Sequence, residues 1–243
     1  MLTVLGFSWA STPTRMLTTF LVTIGFAVLA RVLRGVSRSG MFAGGAACFL
    51  LYSGVGPAAF ATLVALFVLT WLTTRLGHRR KQELGLAERG DGRNARQVLA
   101  NLAIASAASA GFGMTGDTAW RLVLTAALAE AATDTVASEI GQSSGRTTLL
   151  ITTWKMVPAG TDGGVTLAGT LAGIAAGIAI AAIAAATGFI SSAQVWVPAT
   201  AGLAGMLADS VLGATIQRRG WINNELVNLF GTLAAGLVGW YSA

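Results

Sequence analysis

Residues 129–164 read AEAATDTVASEIGQSSGRTTLLITTWKMVPAGTDGG, and this stretch sets carboxylates into a chain that is otherwise apolar. Glu130, Asp134 and Ser138 recur every four residues, so on a helix they stack along one face. The segment ahead of them, Trp120 to Ala129, is apolar enough to lie in lipid. Beyond them come Arg146 and Lys155, then the turn Gly160-Thr161-Asp162-Gly163-Gly164, which is expected to open a second apolar helix. An ionisable side chain inside or at the mouth of a membrane span costs several kcal/mol and is by default a functional feature. One acid there would read as a solvated helix end. A cluster that is echoed later in the chain reads as a site.

The composition places that site in a membrane. Of 243 residues, 54% are hydrophobic and only 11% charged, and the mean hydropathy is +0.68; soluble domains carry about 25% charged residues. The length suits a single integral membrane domain, 1–243, with N-terminal spans over 1–75, a basic loop over 76–95 and an active-site half over 96–243. The 31 glycines and an alanine-rich second half favour close helix packing through small side chains. Long alternating strands are absent, which argues against a barrel. With Cys48 as the single cysteine, neither an intrachain disulfide nor a cysteine metal site can form. The single histidine, His78, sits beside Arg75, Arg79 and Arg80 and reads as a solvated interfacial residue, so Ser-His-Asp and zinc chemistry find no support. No basic region precedes the first apolar run, and no signal peptide is expected.

Hydropathy gives an all-α polytopic bundle of about eight spans, near 16–31, 41–54, 57–75, 96–112, 118–138, 165–188, 195–216 and 224–241. The second is short for a bilayer that needs roughly 20 residues; if 41–75 is not two full spans, the count is seven. Eight spans put 14 of the 16 basic residues on one side, leaving Arg15 and Arg121 on the other. The positive-inside rule identifies the basic side as cytoplasmic, with both termini outside. That partition explains the net charge of +6 without nucleic acid. Nine of the ten acids fall on the same side or at helix ends facing it, and only Asp117 lies outside. The loop over 76–95 reads as an anchor attracted to anionic headgroups. At its end Arg93, Asn94 and Asn101 suit an anionic ligand better than anchoring alone.

The stretch has an echo. Asp134-Thr135-Val136 is followed by Gln142 eight residues after the aspartate, and Asp209-Ser210-Val211 by Gln217 at the same offset. Each copy ends an apolar helix and leads through a basic loop to a polar cluster, Asp162-Gly163-Gly164 or Asn223-Asn224-Glu225, with Asn228 one turn beyond Asn224. Two similar helix–loop–helix units, each offering one aspartate to a shared site, are expected in the C-terminal half. Paired carboxylates suit Mg²⁺, which prefers oxygen ligands and bridges phosphates. Lys155 and Arg146 would neutralise phosphate oxygens, and free backbone N–H groups at Gly163-Gly164 would favour an anion. Phosphoryl transfer needs mainly positioning and charge neutralisation, so it can run without His or Cys. No GxxxxGK[ST] is present, which excludes a P-loop.

The motifs ATDTVASEIG, VPAGTDGGVTLAGT, ADSVLGATIQ, NNELVNLFGT and GRNARQVLAN together resemble an integral membrane family long catalogued as a domain of unknown function. That family includes plant phytyl-phosphate kinase and an animal transmembrane protein. The resemblance spans roughly 75–240 and leaves the first three helices without a distinctive motif. The family's usual GDTxASE is ATDTVASE here, with Thr133 in place of glycine, and its usual paired lysines are Trp154-Lys155.

The resemblance implies an isoprenoid salvage kinase that converts phytyl or a related prenyl monophosphate to the diphosphate, with CTP as the first donor to consider. On that reading Asp134, Asp209 and Lys155 carry the chemistry, and Asp134 and Asp209 bind Mg²⁺ with Glu130 or Glu139 as a further ligand. Arg93 and Arg146 grip phosphates, Thr161, Asp162, Gly163 and Gly164 shape the anion turn, and Asn94, Asn101, Asn224 and Asn228 supply polar contacts. The prenyl tail is expected between the Ala/Gly-rich helices, in a bacterial inner membrane, with a homo-oligomer left open. The rivals are an ion or small-solute transporter, whose acids should lie deep in the spans, and a cytidylyltransferase acting on a lipid phosphate.

Overall fold

Gly56 and Pro57 divide what hydropathy leaves close to one apolar run. Gly56 has φ +103°, a conformation that L side chains rarely adopt, and Pro57 begins the next helix. The computed structural model describes residues 13–243 apart from 89 and 146. Its helices are α1 (Pro13–Val32), α2 (Arg38–Gly54), α3 (Pro57–Arg75), a short α4 (His78–Glu83), α5 (Ala95–Thr115), α6 (Ala119–Ser143), α7 (Leu167–Ala186), α8 (Trp196–Leu212) and α9 (Asn224–Tyr241). The fold is an all-α polytopic bundle. Every span expected from hydropathy is a helix, and α2 starts earlier than expected because Ser37 caps it by accepting from the Gly40 N–H. Among the described residues five helices are long and apolar enough to cross a membrane: α1, α3, α5, α7, and α8 with its extensions over 192–217.

α6 is the axis of the bundle. Its residues from Leu122 to Thr133 are all buried, because α5, α7, α8 and α9 pack around it. Small residues make that approach close. A Cβ on Gly173 of α7 would fall 2.5 Å from the Thr133 carbonyl oxygen, and one on Gly202 of α8 would fall 3.1 Å from the Ala129 carbonyl carbon. The glycines of α7 and α8 are thus used up in packing on α6, as small-residue interfaces do in membranes. At these contacts α7 and α8 leave no groove against α6.

The four connections that follow α1, α3, α6 and α8 meet at one end of the bundle. Val36 and Arg93 form a parallel bridge, with Ser37 N–H donating to Arg93 O at 2.9 Å. Gly163 packs against Ala214 in the third and fourth connections. Between α6 and α7 the chain forms a three-stranded antiparallel sheet, β1 (Thr148–Leu150), β2 (Met156–Val157) and β3 (Gly164–Val165), in the order β2-β1-β3. Strands of two or three residues are too short for any periodicity to show. The turn over 160–164 therefore leads into β3, and α7 begins after it with Thr166 as N-cap.

Candidate active site

The two echoed aspartates lie on one polar pocket of about 130 Å³ at the loop end. Asp134 comes from α6 and Asp209 from α8, and Gln142 and Gln217 of the two matching segments line the same space. Just past Asp209, residues Gly213–Gln217 form a π-helical turn, a local widening that recurs at functional sites. The turn over 160–164 closes the pocket by lying directly on this widened segment. Gly163 has φ +74°, and a Cβ there would overlap Ala214, so glycine is required both by conformation and by space. Asn228 of α9, with its amide nitrogen turned toward α8, donates to Asp209 Oδ2 at 3.2 Å and to the Asn224 carbonyl at 3.0 Å. Thr161, Asp162, Gly164 and Asn224 complete the lining.

The remaining expected residues divide among other places. Arg93 and Asn101 line a second, larger cavity on the opposite side of α6. Arg93 still reaches the acidic pocket electrostatically: it attracts Asp134, donates to Thr135 Oγ1 at 3.4 Å and stands 3.9 Å from Glu139. Asn94 is the N-cap of α5, with a reciprocal bond from Gln97, which explains the amide there as capping. Lys155 is exposed between β1 and β2 and does not line the pocket. Arg146 lies outside the described residues. Glu139 accepts from Lys81 at 2.5 Å and from Thr74 at 2.8 Å and faces away from the aspartates. Glu130 is neither at a helix end nor on the pocket: it is 1% exposed at mid-helix, and a Cβ on Gly231 would fall 2.5 Å from its Oε1. Neither of its carboxyl oxygens has a hydrogen-bond partner among the described residues. The Gly164 N–H is already spent on the Thr161 carbonyl at 2.8 Å, so it is not the free anion donor expected there.

The pocket has the donor chemistry of a Mg²⁺ site. Three carboxylates, Asp134, Asp162 and Asp209, line it with side-chain amides and hydroxyls, and none of its described lining residues is a lysine or arginine. Among the described residues no three of His, Cys, Asp and Glu come close enough to hold a metal by themselves. A Mg²⁺ ion there would need water and substrate phosphate to complete its shell.

The model of the integral membrane protein family DUF92 matches residues 21–236. The chain belongs to the DUF92 family. The match takes in the helices of the N-terminal third, which carry no distinctive motif, so they are part of the shared fold. Among DUF92 relatives, the chain is 31% identical to Protein VTE6, chloroplastic, of Arabidopsis thaliana over 84% of its own length and 64% of that protein's. It is 32% identical to an uncharacterized membrane protein of Methanocaldococcus jannaschii over 93% of both chains. A Synechocystis membrane protein is 30% identical over 78% of this chain and 75% of its own. No solved structure matches. The DUF92 chain is thus an integral membrane protein.

Two features of this DUF92 site escaped the sequence reading. Lys81, placed by its sequence in a solvated basic loop, is 1% exposed and reaches Glu139 across the bundle; nothing in the run RRKQE distinguishes it from its neighbours. Ser138, Thr148, Thr166 and Thr170 also line the pocket, and single hydroxyl residues in apolar helices carry no signal of their own. Asp162, in the loop, has its carboxyl pushed above the ordinary range by burial, and Arg218 opposes the rise.

Proposed function

We propose that this membrane protein is a nucleotide-dependent kinase that converts a prenyl monophosphate, phytyl or a relative, to the diphosphate. The observation that carries the reading is the meeting of Asp134 and Asp209, from two similar helix–loop units, on one polar pocket. Support also comes from the family, in which motif resemblance points to prenyl-phosphate chemistry. The reading sets the pocket in the cytoplasm and both termini outside, since 14 of 16 basic residues fall on the loop side. A bacterial inner membrane would be its setting.

In the reaction, an oxygen of the prenyl monophosphate attacks the γ-phosphorus of the donor. The bond from that phosphorus to the bridging oxygen breaks, and the nucleoside diphosphate leaves with that oxygen. The acceptor oxygen is already ionised, so no general base is required, and positioning and charge neutralisation do the work. Mg²⁺, when bound, supplies charge neutralisation for the donor phosphates. Asp134 and Asp209 would hold it, and Asn228 fixes the Asp209 carboxylate through its amide. Arg93 is the cation positioned to face a phosphate between the two sides of α6.

The test is detergent-purified protein with Mg²⁺, a panel of nucleoside triphosphates including CTP, and phytyl or geranylgeranyl monophosphate, with products read by mass. Prenyl diphosphate plus nucleoside diphosphate is expected. Asp134→Asn and Asp209→Asn should each abolish turnover with expression nearly unchanged. Pyrophosphate with a nucleotide-linked lipid would move the reaction to cytidylyl transfer. Lack of product with every nucleotide, together with ion flux in liposomes, would replace the kinase by a transporter.

A further inference from the structure

A second cavity, larger than the acidic pocket, lies where the sequence motifs are weakest. It has a volume of about 510 Å³ and is enclosed by α1, α2, α3, α5 and α6, within the range of small-molecule sites. Its two ends differ in chemistry. The deep end, toward the middle of the bundle, is walled by Phe26, Leu63, Leu66, Leu102 and Ala131. The end at the connections carries Arg34, Arg75, His78 and Arg93, with Glu88 as the one acid. An apolar space capped by three guanidinium groups suits a long hydrocarbon with an anionic head.

The rim is built rather than incidental. Arg75 is held by donating to the Leu33 carbonyl at 2.6 Å and by stacking 4.2 Å from the centre of the Trp71 ring. Trp71 itself donates to the same carbonyl at 3.0 Å. Arg93 is fixed by the bridge to Val36. Gly92, φ +85°, could not carry a Cβ, which would fall 2.6 Å from Val36 N. Gly44 leaves the wall open from α2: a Cβ there would meet only Val98, at 3.8 Å.

The cavity also adjoins the acidic pocket. Neighbouring residues of α6 serve the two sides, Thr135 and Ala131 lining the cavity and Asp134 lining the pocket. On the other flank, Thr232 of α9 lies against the α5 backbone, its hydroxyl 3.5 Å from the Ala100 carbonyl oxygen. One turn earlier on α9, Asn228 holds Asp209. A head group on Arg93 therefore sits beside the aspartates without its tail entering the crowded α6–α7–α8 interface. The geometry points to this cavity as the chamber for the acceptor lipid, with the isoprenoid chain in the apolar depth and the monophosphate on the arginine rim. The assignment rests on the kinase reading for the identity of the lipid, but not for the existence of the site.

The experiment uses the full chain in nanodiscs, without nucleotide. A geranylgeranyl monophosphate bearing a diazirine at the far end of the chain is photolysed, and the adducts are mapped by mass spectrometry. Adducts on α1, α2 and α3, around Phe26, Leu63 and Leu66, are expected. They should be competed by unlabelled geranylgeranyl monophosphate and far less by geranylgeraniol, inorganic phosphate or an anionic phospholipid. Gly44→Phe should weaken labelling about tenfold or more by filling the space, while Asp209→Asn labels as the wild type does. Adducts confined to α7 and α8, or labelling that an anionic phospholipid competes equally well, would overturn the assignment. Specific labelling here in a protein that transfers phosphate from no nucleotide would sink the kinase and keep the chamber; turnover with the label elsewhere would do the reverse.

Discussion

Lys81→Met is the perturbation whose size the structure defines best. The ammonium group is 1% exposed and all three of its protons are used. They go to Glu139 Oε2 at 2.5 Å, the Thr74 carbonyl at 2.7 Å and the Thr73 carbonyl at 3.2 Å. Both carbonyls lie in the last turn of α3; that of Thr73 also accepts from the Leu76 N–H at 3.1 Å, whereas the helix supplies no donor for that of Thr74, so Lys81 caps one helix and neutralises an acid on another. Methionine fills similar volume, but it leaves the Thr74 carbonyl and a carboxylate behind. The carboxylate keeps only the Thr74 hydroxyl at 2.8 Å and Arg93 at 3.9 Å. Removing one member of a buried pair costs about 3–5 kcal/mol, which for a chain of this size lowers the melting midpoint by roughly 6–20 °C. Melting would be followed in detergent by near-ultraviolet circular dichroism. The double variant Lys81→Met/Glu139→Leu removes the stranded charge and should recover part of the loss. A lysine that merely anchors to lipid headgroups contributes about 1 kcal/mol, dependent on anionic lipid. Melting within about 2 °C of wild type, or a double variant no better than the single, would refute the buried-pair account.

Gly163→Ala places a Cβ against Ala214 at φ +74°, and should cost about 1–3 kcal/mol and lower turnover by displacing the turn from the π-helical segment; thermal melting and assay at one temperature check both. Gly173→Ala should loosen α7 from α6, since its Cβ would lie 2.5 Å from the Thr133 carbonyl oxygen, and a melting midpoint equal to wild type would count against the close-packing account. For Asp162, burial raises the carboxyl and Arg218 opposes the rise; an acid with a raised folded-state value costs stability as pH climbs through it. Arg218→Gln should therefore move the Asp162 titration to higher pH and deepen that cost on the alkaline side, read by carbon NMR of labelled aspartate, and an unmoved titration would remove Arg218 as its partner.

The spans and the aspartate pair were legible because each rests on a pattern that bilayer physics enforces. Apolar runs of span length, basic residues sorted to alternate loops, and a repeated Asp…Gln offset survive in one dimension. What escaped depends on distances between segments far apart in sequence. Lys81 and Glu139 are 58 positions apart, and no local feature marks one lysine among four basic neighbours as the buried one. The short sheet over 148–165 was invisible for the same reason: its register joins residues across turns, and none of its strands is long enough to alternate.

The small residues of these helices serve more than one purpose. Glycine and alanine in a membrane helix signal proximity, and proximity can serve either a ligand or a neighbouring helix. On α7 and α8 it serves α6, and the glycines close the space they would otherwise open. On the other side of α6 the cavity is lined by large and small residues together, Phe26, Leu63, Leu66 and Trp71 with Gly35, Gly40 and Gly44. In this chain the acidic pocket and the larger cavity lie on different sides of α6, which joins them by turning Asp134 to one side and Thr135 to the other.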